Sequence, residues 1–407
     1  MDTGKSTPIR LSGLKSKKNP HISENVLKGA KKIAANSKEK LILLAIPHNP
    51  IVEGRPDLSM VEYPAFARKL AYFLNTFDVI LVLQGGLCSN VALFDDGRLL
   101  VYTIKYDVLP LFSARFLVNY IKIIFSLTRS YKLLVLTFDV SHIFSLITLL
   151  FNKLLGLRNA IFIVTIPQSI IDWTKLLFCI NHSNIVLTNH PLIKKILRRA
   201  LPTQINKVII TIPNYPSEIF RDHGNERIPN SVIYVGRLSR EKRVDFILRA
   251  FERVTTNIPD ARLFVIGEGP LKEELQEVIK QRRMTKNVIF LGWLEQEEIA
   301  AWLSKCKVAV FASVVEFFPN VLIEAAACGT PVVTIDKPSY SWILKDAALY
   351  ANPYSEDDFA ENIIKLFRHK TLWLRLNEQG KKRAEDLLKQ AQTVLMYLRT
   401  NYDWKKV

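Results

Sequence analysis

The sequence predicts an α/β protein of two domains, each built on a parallel sheet, and three observations carry that expectation. Short β-rich runs recur along the chain, most of them separated by stretches of helical periodicity. The 407 residues, 49% of them hydrophobic, suffice for two domains with substantial cores. A break at IPNYPSEIF (212–220), rich in Pro and Asn, stops one series of runs before a second begins.

Residues 1–40 hold ten basic and three acidic residues with Gly and Pro breaks. They read as a basic tail, flexible over 1–20 with a short helix over 22–36, and contain no apolar core of signal-peptide length. The first domain is expected over 41–213. Its strands are LILLAIP (41–47), DVILVLQ (78–84), KLLVLTF (132–138), NAIFIVTI (159–166), NIVLTN (184–189) and KVIITIP (207–213), spaced for a parallel sheet with right-handed crossovers. LFDDGRLLVY (93–102) reads differently, as a hairpin turning at Asp96-Gly97, so Asp95 and Asp96 are turn residues rather than a metal-binding pair. The apolar stretch 140–164 is interrupted by Asn152, Lys153 and Arg158 before it reaches the length of a membrane span, and predicts a buried helix followed by a buried strand. FLVNYIKIIFSL (116–127), with Lys122 at its edge, reads either as a core helix or as a helix lying on a bilayer surface.

The second domain, 214–390, repeats a strand-turn-helix unit. SVIYVGRLSREKRVDFILRAF (231–251) is a strand, a tight turn at Gly236, two cations at Arg237 and Lys242, and a helix with Phe246, Ile247, Ala250 and Phe251 on its apolar side. ARLFVIGEGPLKEEL and NVIFLGWLEQEEIAAWL follow the same plan, and GEGP (267–270) reads as a tight strand-helix connection. VAVFAS (308–313) is a further strand; Pro319 suits the first turn of the next helix, which stops at Gly329. That segment carries EFFPNVLIE, with Glu316 at the strand's carboxyl end and Glu324 about a turn and a half into the helix. Carboxylates beside apolar residues ask for partners, and the carboxyl edge of such a sheet, with a helix N-terminus facing it, suits phosphate and hydroxyl ligands. Taken alone, the spacing of the two glutamates also fits an ordinary strand-loop-helix, and Arg237 with Lys242 also fits a solvated charge cluster, REKR (240–243).

The order of these motifs resembles the donor-binding half of the family-4 retaining glycosyltransferases, closely over about 205–390. The resemblance implies the GT-B fold, two Rossmann-like domains whose parallel sheets face across a cleft. It implies transfer of a sugar from a nucleotide diphosphate-sugar to a hydroxyl with retention, in glycolipid, lipid-linked oligosaccharide or cell-surface polysaccharide synthesis. The sequence supplies no obvious metal site, so transfer is expected to be metal-independent, with no cofactor beyond the donor. Gly236, Arg237 and Lys242 match the diphosphate grip, Glu324 the ribose contact and Glu316 the sugar contact. Phe318, Asn320 and Val321 match the segment whose amides face the phosphates, and Trp293 and Leu294 edge the base. The resemblance also places a GT-B relative that binds, hydrolyses or epimerises a nucleotide sugar as the alternative.

Departures from that pattern are definite. Phe317 stands where a small residue commonly follows the first glutamate, and DKPSYSWIL (336–344) replaces a Gly-rich turn, pointing to a contact from Ser339 or Tyr340. In the first domain Gly54 and Arg55 stand in for a glycine-rich loop. His142, one turn after Asp139, reads as a hydroxyl partner or equally as a helix-surface histidine with Asp139 as cap. Tyr215 replaces the glycine of the hinge, and AQTVLMYLRTNYDW (391–404) is expected to cross back as a helix to the first domain.

Cys88, Cys179, Cys306 and Cys328 show no metal-ligand spacing and suit buried thiols in a reduced, cytoplasmic protein, with peripheral placement at the inner face of a membrane as a further expectation. The net charge of +18 is uneven: residues 1–213 carry 27 Lys/Arg against 12 Asp/Glu, and residues 214–407 carry 29 against 26. An anionic or lipid-linked acceptor or a membrane surface suits the basic half, as does a generally basic protein. Nucleic acid does not suit the tail, since residues 1–40 lack the interleaved aromatics that stack bases.

Overall fold

The computed structural model describes residues 41–46, 79–86, 90–94, 99–105, 132–137, 149–150, 153–154, 158–163, 170–200 and 208–401. The expected tail over 1–40, the 116–127 stretch, Cys88, and the candidates Gly54, Arg55, Asp139 and His142 lie outside the described residues. The chain divides into two compact units, one of residues 1–212 with 392–407 and one of residues 213–391.

The first unit carries an eight-stranded sheet. Its strands are β1 Leu41–Ile46, β2 Val79–Gly86, β3 Asn90–Phe94, β4 Leu99–Lys105, β5 Lys132–Thr137, β6 Arg158–Ile163, β7 Ile185–Thr188 and β8 Val208–Thr211, in the order β3-β4-β2-β1-β5-β6-β7-β8. All six β-rich runs read from the sequence lie on parallel strands of this sheet. The hairpin is antiparallel, with Phe94 opposite Leu99, and Asp95, Asp96 and Gly97 lie outside the described residues. Two described helices follow, α1 Ile170–His182 and α2 Pro191–Ala200. Of the buried helix expected before β6, only residues 149–150 and 153–154 are described: Leu149 is buried, whereas Leu150 and Leu154 are exposed.

The second unit holds six parallel strands, β9 Ser231–Val235, β10 Arg262–Ile266, β11 Val288–Gly292, β12 Val308–Phe311, β13 Val332–Ile335 and β14 Ala348–Ala351, in the order β11-β10-β9-β12-β13-β14. β12 and β13 are buried at every position, which is why they read as continuous apolar runs rather than as alternation. The helices are α3 Val244–Asn257, α4 Lys272–Gln281, α5 Gln296–Lys305, α6 Asn320–Ala327, α7 Pro338–Leu344, α8 Glu356–Arg368 and α9 Lys370–Asn401. Phe246, Ile247, Ala250 and Phe251 of α3 are all buried, and Phe246 meets Phe359 of α8 edge-on at 5.4 Å between ring centroids. Cys179, Cys306 and Cys328 are buried thiols. The last helix starts at Lys370, well before the apolar pattern over 391–404 suggests.

Candidate functional site

A parallel sheet collects its loops. The carboxyl ends of β9 to β13 lie along one edge of the second unit, and because β9 pairs directly with β12, the loop after β9 meets the loop after β12. Two glycines allow the first loop to turn there. A Cβ on Gly267 would lie 2.0 Å from the Gly236 carbonyl oxygen, and the Gly236 amide donates to the Ile266 carbonyl at 3.0 Å. The GEGP segment is thus a backbone-to-backbone connection, as its sequence suggests.

From this turn the chain makes a single 3-10 turn, Arg240–Lys242, and passes through Arg243 in the left-handed region (φ 54°) into α3. That geometry turns Lys242 inward. Its Nζ donates to Oε1 of Glu316, 74 positions away, and lies 5.8 Å from the Phe311 ring centroid. Burial, and the neighbouring Arg237 charge, pull the Lys242 ammonium below its ordinary range, with Glu241 opposing them. Arg237 differs: its side chain is half exposed, with Nε 3.4 Å from Ser239 Oγ and Nη2 3.4 Å from Glu241 Oε1. Ser239 Oγ donates to that same carboxylate at 2.5 Å, and this bond, aided by the nearby cations, holds Glu241 below the usual carboxylate range. Of the two cations singled out in the sequence, Lys242 is closed into a largely buried ion pair with Glu316, and Arg237 pairs with Glu241 at the surface.

The loop after β12 is held by the segment that follows β13. Tyr340 Oη donates to the Ser313 carbonyl at 2.5 Å, and Lys337 Nζ donates to the carbonyls of Val314 and Glu316, each at 2.6 Å. Phe318 is buried in the core and meets Trp342 edge-on at 6.2 Å. Pro319 is the N-cap residue of α6 rather than a residue of its first turn, an ordinary shift of one position at a helix end. Asn320 then opens the helix, and its Oδ1 accepts from Asn214 Nδ2 at 2.8 Å, tying the start of the 212–220 break to the α6 N-terminus. Val321 is half-buried against the core and Glu324 is 6% exposed. Trp293 and Leu294 follow β11; Trp293 is 49% exposed and Leu294 packs on the core. They lie three strands from β12 along the same edge.

The arrangement has a chemical sense. An exposed guanidinium and the amino end of α6 suit anionic oxygens, while carboxylates suit hydroxyl groups. The profile of the family described as glycosyl transferases group 1 matches residues 217–383. These residues form a glycosyl transferases group 1 domain.

Relatives of the group 1 domain include an N-acetylgalactosamine-N,N'-diacetylbacillosaminyl-diphospho-undecaprenol 4-alpha-N-acetylgalactosaminyltransferase of Campylobacter jejuni, 32% identical over 172 residues (41% of this chain, 46% of that one). Another is an N-acetyl-alpha-D-glucosaminyl L-malate synthase of Bacillus anthracis, 24% identical over 239 residues (56% and 61%). The chain spans about half the length of the curated relatives it matches. Among solved structures it is similar to HepE of Anabaena, in complex with UDP and glucose, with a TM-score of 0.67 over 88% of this chain and 99% of that one at 15% identity. The fold is GT-B.

In the second unit, three residues that the sequence did not single out shape the site. Glu241 engages Arg237, Asn214 bonds Asn320, and Lys337 holds the Glu316 loop. The loss of the Gly-rich turn was a signal for the last. It pointed to 336–344, and Tyr340 does contact the loop, but beside it the lysine makes two bonds.

Proposed function

We propose that this chain is a retaining glycosyltransferase that moves a sugar from a nucleoside diphosphate-sugar to a hydroxyl acceptor. The observation that carries the reading is the ion pair of Lys242 with Glu316 at the carboxyl edge of a parallel sheet, beside exposed Arg237 and ahead of buried Glu324. A cation and a carboxylate drawn together from loops 74 positions apart bring a phosphate-binding group and a hydroxyl-binding group to one place.

In this reading Arg237 and Lys242 take the diphosphate and neutralise the charge that develops as the anomeric carbon–oxygen bond breaks. The acceptor oxygen bonds to the anomeric carbon on the face the diphosphate leaves. Its proton passes to the departing phosphate oxygen, so no protein nucleophile is required. Glu316 holds the sugar, Glu324 the ribose hydroxyls, Phe318, Asn320 and Val321 the phosphate-facing backbone, and Trp293 and Leu294 the base; Gly236 allows close approach. His142 is assigned to an acceptor or sugar hydroxyl. Neither a metal nor a further cofactor takes part, so transfer should persist in a chelator. The UDP and glucose held by HepE support a nucleotide sugar as donor. The diphospho-undecaprenol in the Campylobacter enzyme's name supports a lipid-linked acceptor, as does the basic first half of the chain, and a place at the cytoplasmic face of a membrane follows.

The test is a panel of nucleotide sugars scored for thermal stabilisation and for nucleoside diphosphate release with lipid-phosphate and oligosaccharide acceptors. One donor should stabilise the protein, with release dependent on acceptor and lost in Glu316→Ala. Arg237→Ala should weaken donor binding about ten- to a hundredfold, the loss of a charge-assisted pair, and Arg240→Ala should not. Stabilisation by no donor overturns the reading. Binding without release under every acceptor, unchanged in Glu316→Ala, replaces it with a binding protein, and release without acceptor replaces it with a hydrolase.

A further inference from the structure

Glu316 is held from two directions. Its carboxylate takes the Lys242 ammonium, and its carbonyl takes the Lys337 ammonium at 2.6 Å. Lys337 bonds the Val314 carbonyl at the same distance, and Tyr340, one turn into α7, bonds the Ser313 carbonyl. Three of the four carbonyls from 313 to 316 therefore receive donors from a four-residue segment. The lysine's surroundings are unusual for a cation. Its Nζ lies 5.7 Å from the Phe317 ring centroid and 5.0 Å from that of Tyr340, and among the described residues it pairs with carbonyls and rings but with no carboxylate. Phe317 and the 336–344 segment are both places in the second unit where the sequence departs from the family pattern. Here the two departures touch.

We propose that Lys337 is a positioning residue for Glu316. By bonding the Val314 and Glu316 carbonyls with its ammonium laid against Phe317 and Tyr340, it sets the direction in which the Glu316 carboxylate meets the donor sugar. The proposal rests on the glycosyltransferase reading. The physical case is that a loop between a strand and a helix has free carbonyls and the freedom to swing. A charged donor shared by two of them removes that freedom, and aromatic faces on its flanks keep the ammonium from water. Displacing a reacting group by about 1 Å costs on the order of a hundredfold in rate. The diphosphate grip, on the loop after β9 and at the α6 N-terminus, would be untouched.

Three variants, Lys337→Arg, Lys337→Gln and Lys337→Met, test this through kcat and donor KM, nucleoside diphosphate affinity, and amide hydrogen exchange of residues 312–318 without ligand. Turnover should fall in the order wild type, Arg, Gln, Met, about ten- to a hundredfold at the last, with nucleoside diphosphate affinity within about threefold of wild type. Exchange in the loop should quicken in the same order while β9 and β12 stay protected. Equal kcat in all three, or a loss shared equally by nucleoside diphosphate binding, overturns the proposal. If Met does not fold, the ranking of Arg and Gln decides. Absence of transfer by wild-type protein with every donor would fail the glycosyltransferase reading instead, and unchanged loop exchange would separately fail the role of Lys337.

Discussion

Lys337 should leave its mark on pH dependence. Burial pushes its ammonium down to about 8, whereas a lysine in an unfolded chain titrates near 10.4. Between these values the unfolded chain holds a proton that the folded one has shed, so this group makes stability rise with pH across that window. Activity should move the opposite way, because a neutral amine is the weaker donor to two carbonyls. The ionisable groups packed against it do not mask the effect. Glu316 is paired with Lys242, and Tyr340 is pushed above its ordinary range by burial and stays neutral. Wild-type kcat is expected to decline as pH passes about 8 and that of Lys337→Arg to hold, since guanidinium does not titrate there. Parallel declines would place the titrating group elsewhere. Residue type and motif order made Lys242 and Glu316 legible in the sequence. Lys337 was not legible, because its partners are carbonyls more than twenty positions away, and nothing in a side-chain pattern records a carbonyl.

At the scale of elements, two contacts set how firmly the site's scaffold stands. Arg227 donates to the carbonyls of Leu303, Cys306, Cys328 and Gly329 and to Thr330 Oγ1, all at 2.8 to 3.1 Å. It thereby satisfies carbonyls at the carboxyl ends of both α5 and α6, the helix that bears Glu324. Arg227→Met should cost about 3 kcal/mol in denaturant unfolding, because these buried carbonyls lose a charged donor together. A change under about 1 kcal/mol would show that water replaces the guanidinium. At the α8 N-terminus, Ser355 Oγ accepts from the Asp358 amide at 3.1 Å, and the first turn presents Glu356 to Arg249 on α3 at 2.7 Å. Ser355→Ala should cost about 1 kcal/mol, and Ser355→Asp should recover most of it. Elements were legible where periodicity was clean, as in α3 and the buried strands. The start of α9 was not, because Gly380 interrupts the pattern. A Cβ there would lie 3.3 Å from Ala326, so this glycine marks close passage of α9 over α6 rather than a helix end.

Over the whole chain, the charge is carried by the first half, 27 basic against 12 acidic residues up to position 213. The part of it that the structure describes is concentrated on α2, PLIKKILRRA, which buries Ile193 and Leu197 and has no acidic residue. Lys195, Arg198 and Arg199 are exposed, and Lys194 sits close enough to Arg198 for that charge, after burial, to lower its ammonium below the ordinary range. Like charges crowded on one exposed face are unfavourable in isolation, and an opposing anionic surface relieves them. The same unit exposes Leu150, Leu154 and Ile171, and no described helix is long and apolar enough to cross a membrane. Peripheral contact with an anionic bilayer accommodates both features, each basic residue near such a surface contributing about 1 kcal/mol. Sedimentation with vesicles should therefore require anionic lipid and weaken steeply between low and physiological salt, where the screening length falls to about 8 Å. Replacing Lys194, Lys195, Arg198 and Arg199 by Gln should reduce that binding at least about tenfold and leave transfer to a soluble acceptor unchanged. Equal binding to neutral vesicles, or undiminished binding by the quadruple variant, would remove the anionic surface as the partner of this face.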